Sequence, residues 1–486
     1  MGPPKSLSRP IVRNPFNYGG FKNLTLAQKI EFILTGIFLG PIRLILILII
    51  LCFAGIMSSI VLYNRGKNTE KAPLIGWRRT FKDFFYCQVA RSILFVIGFY
   101  KIKVNGKLAD RQQAPIIVIA PHSSFQDMLF MDSLRPLSGL SRVENKSAPI
   151  LGPTLIMMET IFVSRMNPKS HQQTIDEILK RSTDTEYDWP QMMIFPEGTG
   201  TNRKSLVHFK AGAFIPGVPI QLVAVRFLNK VDTYSWVADG PGPLMLLIHC
   251  VCQFRHEAIV DILPVYHPTE EEKKNPRIYA DNVRKLFSDF LSMPTTEHTY
   301  EDCCLMVEAS KTSLPLECGI IEYRKINVEL GLNYPIIKNH LKIFSVINTS
   351  KSGKVTIQDL ASFLNVNTSD LEGVFALLDM DEDGYLDFRE YLIGITILKD
   401  SDQLKNIVTH MGQTMLVQRY DSNLSEEDFR SVILRLYPQL SNEPIKAFYM
   451  YLRQKYEFVS IETVKNFLLS DHGYNTLLKI CNNSRG

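Results

Sequence analysis

Residues 121–130 read PHSSFQDMLF. His122 and Asp127 are the two residues here whose chemistry can be paired. A carboxylate that accepts from one imidazole nitrogen fixes the tautomer and leaves the other nitrogen free to take a proton. Five residues of helix turn through about 500°, so the two would not share a helix face. The couple forms if His122 stands before a helix and Asp127 lies inside it, pointing back. Ser123 or Ser124 would then cap that helix. No Gly-x-Ser-x-Gly elbow accompanies the pair, so the base would act on a hydroxyl of the substrate itself. The competing reading is two polar residues in a loop, and the rest of the chain has to decide between them.

A second cluster is FPEGTGTN, residues 195–202. Glu197, Gly198 and Thr199 supply an acid, a flexible turn and a hydroxyl. Such a turn can present backbone N–H groups to a phosphate. A third is IFVSR, where Arg165 follows a strand-like run and can hold a phosphate through two parallel hydrogen bonds. A solvated surface arginine is its alternative.

The chemistry near the C-terminus is of another kind. DMDEDGYLDFRE, residues 379–390, has the spacing of an EF-hand loop. Asp379, Asp381 and Asp383 offer carboxylates, Tyr385 its carbonyl, Asp387 a water-mediated contact and Glu390 a bidentate carboxylate, with Gly384 at the sharp turn. NTSKSGKVTIQD, residues 348–359, keeps Gly353 and Val355 but has Asn348, Ser350 and Ser352 at ligand positions and Asp359 at the twelfth. With so few carboxylates it reads as a structural mate. The bound Ca²⁺ would be regulatory or structural.

These residues need elements to hold them. APIIVIAP, TIFVSR, QMMIFP and IQLVAVRF read as short buried strands, with helical stretches such as SHQQTIDEILKRS between them. Alternation of that kind predicts a largely parallel sheet with ligands beyond the strand C-termini, where His122 and Glu197 stand. Residues 44–63, LILILIILCFAGIMSSIVLY, run 20 positions without a charge, enough to cross a bilayer. IEFILTGIFL precedes them and ends at Gly40-Pro41, a helix break. Either one membrane helix or a two-helix hairpin follows. Basic residues flank both sides, so charge does not orient the segment.

Composition sets the outer limits. The chain has 486 residues, 45% hydrophobic and 21% charged, with a net charge of +5. Such a length implies two or three domains. Such a balance argues against a nucleic-acid protein and leaves room for anionic lipid. The eight cysteines show no zinc spacing. Cys250 and Cys252, within PLMLLIHCVCQF, read as buried thiols in a reducing compartment.

The ordered set His-x-x-x-x-Asp, Phe-x-x-Arg, Glu-Gly-Thr and the Pro-containing block GVPIQLVAV resembles the glycerolipid acyltransferases over roughly residues 115–230. With the apolar N-terminal segment and the EF-hand, the resemblance extends to EF-hand-bearing lysophosphatidylcholine acyltransferases of the 1-acylglycerol-phosphate acyltransferase family. It implies His122 as general base and Asp127 as its orienting partner, with Arg165, Glu197, Gly198 and Thr199 shaping the phosphate and acceptor site. It implies acyl-CoA as co-substrate, a lysophospholipid as acceptor and membrane phospholipids as surroundings. Many relatives have Glu-Gly-Thr-Arg-Ser-Arg. Gly200, Thr201 and Asn202 here lack those cations, which points to a choline-type acceptor rather than lysophosphatidic acid. Gln126 stands where this branch often has an aromatic.

The expected architecture is an α/β acyltransferase domain with an N-terminal membrane helix or hairpin and a C-terminal all-α EF-hand domain. Its divisions are 1–70 for the tail and anchor, 71–300 for the acyltransferase domain, 301–340 for a connector, 341–395 for the EF-hand pair and 396–486 for degenerate EF-hand-like helices. The expected site is the membrane of the endoplasmic reticulum, Golgi or lipid droplet, with both domains facing the cytosol. The alternatives are a lysophosphatidic acid or glycerol-3-phosphate acyltransferase, and a calcium-binding membrane scaffold with an inactive domain.

Overall fold

The computed structural model describes residues 14–21, 24–65, 72–164, 168–364, 368–379 and 381–399, with isolated residues between 425 and 453. From residue 400 onward the expected degenerate helices lie almost wholly outside the described residues. Internal contacts divide the chain into two units, one of them Arg13–Thr296 and the other built from Glu297 onward.

The first unit begins with α1 (Leu26–Phe38), α2 (Gly40–Leu62) and α3 (Trp77–Ile97). It continues through β1 (Lys101–Asn105), β2 (Ile116–Ile119), α4 (Gln126–Leu134), β3 (Leu140–Arg142), α5 (Leu151–Met157), β4 (Ile161–Val163), α6 (Pro168–Thr183) and β5 (Met192–Ile194). It closes with β6 (Ile220–Phe227), α7 (Pro243–Val251), β7 (Glu257–Tyr266), α8 (Glu270–Lys274) and α9 (Pro276–Leu291).

Thr25 caps α1 in a reciprocal box with Gln28, and Pro41 falls in the first turn of α2, with only Leu39 between the helices. α2 is long and apolar enough to cross a membrane, with a mean hydropathy of 3.0. One stripe of it, Arg43, Ile47, Ala54, Ser58 and Val61, is buried. α3, α5 and α7 supply the contacts for this helix. The opposite face leaves Ile45, Leu48, Ile49, Phe53, Ile56 and Ile60 exposed, as α1 leaves Ile30, Ile33, Leu34 and Ile37. The Arg43 guanidinium is buried and donates to the carbonyls of Val251 (2.9 Å), Gln253 (2.5 Å) and Phe254 (2.9 Å) and to the Tyr100 hydroxyl (2.8 Å). Those carbonyls are the unsatisfied end of α7 and the turn beyond it, which a cation suits.

The main sheet runs β1-β7-β6-β2-β5, parallel except where β7 runs antiparallel to β6. β3 and β4 form a separate two-stranded parallel sheet. The strand read from TIFVSR is therefore not part of the main sheet. Along β2 the pleat sends Ile117 and Ile119 into a core with Phe99, Phe130 and Val223, and Ile116 and Val118 into one with Leu222, Tyr279 and Phe287. Burial on both faces is why the strand is apolar at every position.

The second unit contains α10 (Tyr300–Lys311), α11 (Tyr323–Leu330), α12 (Tyr334–Ile347), α13 (Ile357–Leu364), α14 (Thr368–Leu378) and α15 (Phe388–Lys399). Val355 and Leu386, at equivalent places in the two loops between these helices, pair by backbone hydrogen bonds of 2.9 and 2.8 Å.

Candidate active site and cation-binding loop

β2 and β5 are parallel neighbours in register, Ile116 opposite Met192 and Val118 opposite Ile194. The loops leaving their C-terminal ends must therefore lie side by side. One carries His122 and the other Glu197. The His122 Nδ1 lies 2.9 Å from Asp127 Oδ2, with the Asp127 side chain fully buried and that of His122 20% exposed. Asp127 is in the first turn of α4. It also accepts from the Ser123 N–H (2.6 Å), the Ser123 hydroxyl (2.8 Å) and the Ser124 N–H (3.1 Å). Phe125 is the N-cap residue and makes no side-chain cap bond, but the Ser124 hydroxyl accepts from the Gln126 N–H at 3.4 Å, and the aspartate gathers the loop's other donors. With Nδ1 held on Asp127, Nε2 is the imidazole nitrogen left for a reacting group. Phe195 stacks on the ring at 3.9 Å between centroids and fixes its plane.

Glu197 is fully buried. Its carboxyl accepts from the His122 N–H at 2.6 Å and the Val207 N–H at 3.3 Å. Burial, with the Asp127 charge adding, pushes it up to about 8. Its contacts are with the backbone behind His122, so it braces the loop that carries the imidazole. Gly198 has φ +68° and donates its N–H to the Phe195 carbonyl at 3.1 Å. Thr199 follows it in the same loop. Arg165 lies outside the described residues.

The next three residues change a sequence argument. A Cβ on Gly200 would run into the Trp236 carbonyl oxygen and lie 2.8 Å from that of Ser123. The backbone therefore leaves no room for any side chain there. The Thr201 N–H donates to the His122 carbonyl at 2.8 Å. Asn202 is buried against the chain's own N-terminal segment. The absent cations at 200 and 202 thus have a packing cause. Gln126 is buried as well, with its Nε2 2.7 Å from Cys250 Sγ and its Oε1 without a partner. Cys250 and Cys252 are buried thiols, and no disulfide joins the cysteines among the described residues.

Two residues went unread in the sequence. Phe195 closes the run QMMIF, whose pattern predicts a strand and nothing more. Lys210 is exposed, and its side-chain carbons would stand 3.1–3.2 Å from a Cβ on Gly198, so the ammonium-bearing chain lies along the Glu-Gly-Thr turn. The basic residue in HFKAG, soon after that turn, was the signal available.

In the second unit, carboxylate oxygens of Asp379, Asp381 and Asp383 converge within 4.8 Å of one another. Gly384 has φ +78° and donates to Asp379 at 2.8 Å. Glu390 is buried beneath, accepting the Asp387 N–H at 2.9 Å, and Tyr385 follows the turn. This donor set fits a hard cation with oxygen ligands. The mate loop is closed differently. Asn348 Oδ1 accepts from Gly353 N–H at 2.9 Å, and its Nδ2 donates to the Lys354 carbonyl at 2.6 Å and approaches the Ser350 and Ser352 hydroxyls at 3.4 and 3.5 Å. An amide nitrogen thus faces the oxygens that a cation would bind. Asp359 accepts instead from Thr349 and Thr356. Across the pair, Lys354 Nζ bonds Asp383 and sits 5.2 Å over the Tyr385 ring.

An oriented imidazole thus stands beyond the C-terminal end of β2, in the unit that also carries the apolar helices α1 and α2. The Acyltransferase family model matches residues 101–226, and the EH domain model matches residues 335–428. The chain is 36% identical to Lysophosphatidylcholine acyltransferase 2 of Homo sapiens over 467 residues, 96% of this chain and 84% of that one. It is 34% identical to Lysophosphatidylcholine acyltransferase 2B of Rattus norvegicus over 97% of this chain and 91% of that one. It is 35% identical to Lysophosphatidylcholine acyltransferase 1 of Homo sapiens over 81% and 73%. The chain belongs to the lysophosphatidylcholine acyltransferase family.

Proposed function

We propose that the protein transfers an acyl group from acyl-CoA to the free hydroxyl of lysophosphatidylcholine or its alkyl analogue at a membrane surface. The observation that carries this reading is the His122–Asp127 couple, with Nε2 directed away from a buried carboxylate, in a chain whose relatives are named for that acceptor. His122 Nε2 takes the hydroxyl proton as the oxygen forms a bond to the thioester carbonyl carbon. The tetrahedral centre collapses, the carbon–sulfur bond breaks, and the proton passes from the imidazolium to the departing thiolate. Asp127 stabilises the imidazolium between these steps. Lys210, with Arg165 from the neighbouring block, supplies cations for the phosphate groups. The exposed apolar faces of α1 and α2 lie in the cytosolic leaflet of an endomembrane, such as the endoplasmic reticulum. The loop from Asp379 to Glu390 holds Ca²⁺ through Asp379, Asp381, Asp383, the Tyr385 carbonyl, Asp387 and Glu390.

The test is acyl transfer by the full chain in phosphatidylcholine vesicles, with a pool of acyl-CoAs that includes acetyl-CoA. Acceptors are lysophosphatidylcholine, alkyl-lysophosphatidylcholine and lysophosphatidic acid, with and without Ca²⁺. The expected result is preference for the choline acceptors. His122→Ala should lower kcat by about 10²–10⁴-fold with the fold intact. Preference for lysophosphatidic acid would refute the acceptor assignment, and appreciable turnover by the variant would refute the base.

A further inference from the structure

The segment Asn14–Phe21 is stitched to both sides of the catalytic loop. Asn202 makes most of the stitches on one side. Its N–H donates to the Pro15 carbonyl at 2.8 Å, and its side-chain Nδ2 donates to the carbonyls of Asn14 (2.8 Å) and Asn17 (3.0 Å). On the other side Phe16 is fully buried and its carbonyl accepts from the Asp239 N–H at 3.4 Å. The Tyr18 hydroxyl donates to the Asp232 carbonyl at 3.1 Å. Phe21 then packs edge-on against Phe32 of α1 and His249 of α7.

The residue before Asn202 completes a short path to the imidazole. Thr201 donates its N–H to the His122 carbonyl, and its hydroxyl lies 3.2 Å from the same oxygen. Ser123, next to His122, accepts from the Trp236 N–H at 2.9 Å. One peptide link thus separates the carbonyl of His122 from the N-terminal segment. That segment leads in turn to the apolar helices α1 and α2.

We propose that Asn202 is a positioning residue for acyl transfer. It fastens Asn14–Phe21 against the back of the His122 loop, so that α1 and the imidazole keep a fixed relation. This rests on the acyl-transfer reading above. An amide is needed there, because only a side chain with two N–H donors can satisfy two carbonyl oxygens at once. Asn202→Asp keeps the shape and turns a carboxylate toward those carbonyls.

The experiment measures kcat and KM of the full chain in phosphatidylcholine vesicles for wild type, Asn202→Ala and Asn202→Asp. The unfolding midpoint and vesicle flotation are followed in parallel. Both variants should lose roughly tenfold or more in kcat per folded molecule, with KM for both substrates within about twofold and flotation unchanged, and the midpoint should fall, more for Asn202→Asp than for Asn202→Ala, because buried carbonyls lose their donors. Tyr18→Phe removes one stitch on the opposite side and should lower kcat about threefold in the same pattern, which keeps the test open if the Asn202 variants do not fold. Unchanged kcat in any folded variant overturns the proposal. So does a lowered midpoint with unchanged kcat in the folded fraction. Wild-type protein silent toward every acceptor would instead overturn the acyl-transfer reading.

Discussion

Asp127 is asked to satisfy an imidazole, two backbone N–H groups and a hydroxyl at once, inside the protein. Asp127→Asn would turn an amino group toward donors, leaving them unpaired. The cost should be about 2–4 kcal/mol of stability as well as a loss of kcat, read by thermal unfolding and vesicle assay. Glu197 makes a different prediction. Its carboxyl is raised to about 8 and that of buried Asp132 to about 7, so the folded first unit holds protons the unfolded chain has released. Stability from these groups is full below the usual carboxyl range and is lost as pH rises to about 8. Buried His256, held down to about 4, slopes the opposite way but only below its ordinary value near 6.5. Between about pH 6.5 and 8 the carboxyls alone remain, and the unfolding midpoint should fall. Glu197→Gln should flatten that fall, and a midpoint rising over this range would contradict the burial argument. Gly200→Ala should inactivate or unfold the protein, because its methyl would meet two carbonyl oxygens.

Among the elements, the paired loops of the second unit divide one motif into two solutions. In one, carboxylates converge; in the other, Asn348 fills the centre with its own amide. Lys354 reaches from the second to the first and neutralises part of its charge. On the calcium reading, Lys354→Ala should raise Ca²⁺ affinity several-fold, most at low ionic strength, as followed by calorimetric titration. The loop from Asp379 to Glu390 was legible because its twelve positions are contiguous. β2 and β5 were legible because burial on both faces leaves unbroken apolar runs. β1 and β7 were not, since β1 alternates exposed and half-buried positions and reads as an ordinary amphipathic stretch. The grip of Glu197 on His122, 75 residues away, and of Asn202 on Asn14, 188 away, is invisible to local pattern. Local pattern therefore shows Gly200 and Asn202 only as positions without a cation. Their neighbours come from parts of the chain that no spacing rule connects.

For the whole molecule, the apolar helices α1 and α2 are built into the acyltransferase unit rather than tethered to it. α2 lays a buried stripe along α3 and α5, and Arg43 closes the end of α7 and the turn beyond it with three hydrogen bonds. An anchor on a linker would leave the domain free to leave the surface. In the proposed membrane setting, the exposed leucines and isoleucines of α1 and α2 carry the acyltransferase unit itself to the surface. If the acceptor is a lysolipid, the protein meets it as a solute of the bilayer rather than of the cytosol. Its rate should then follow the mole fraction of lysolipid in the leaflet and fall when inert phospholipid dilutes that surface at constant bulk concentration.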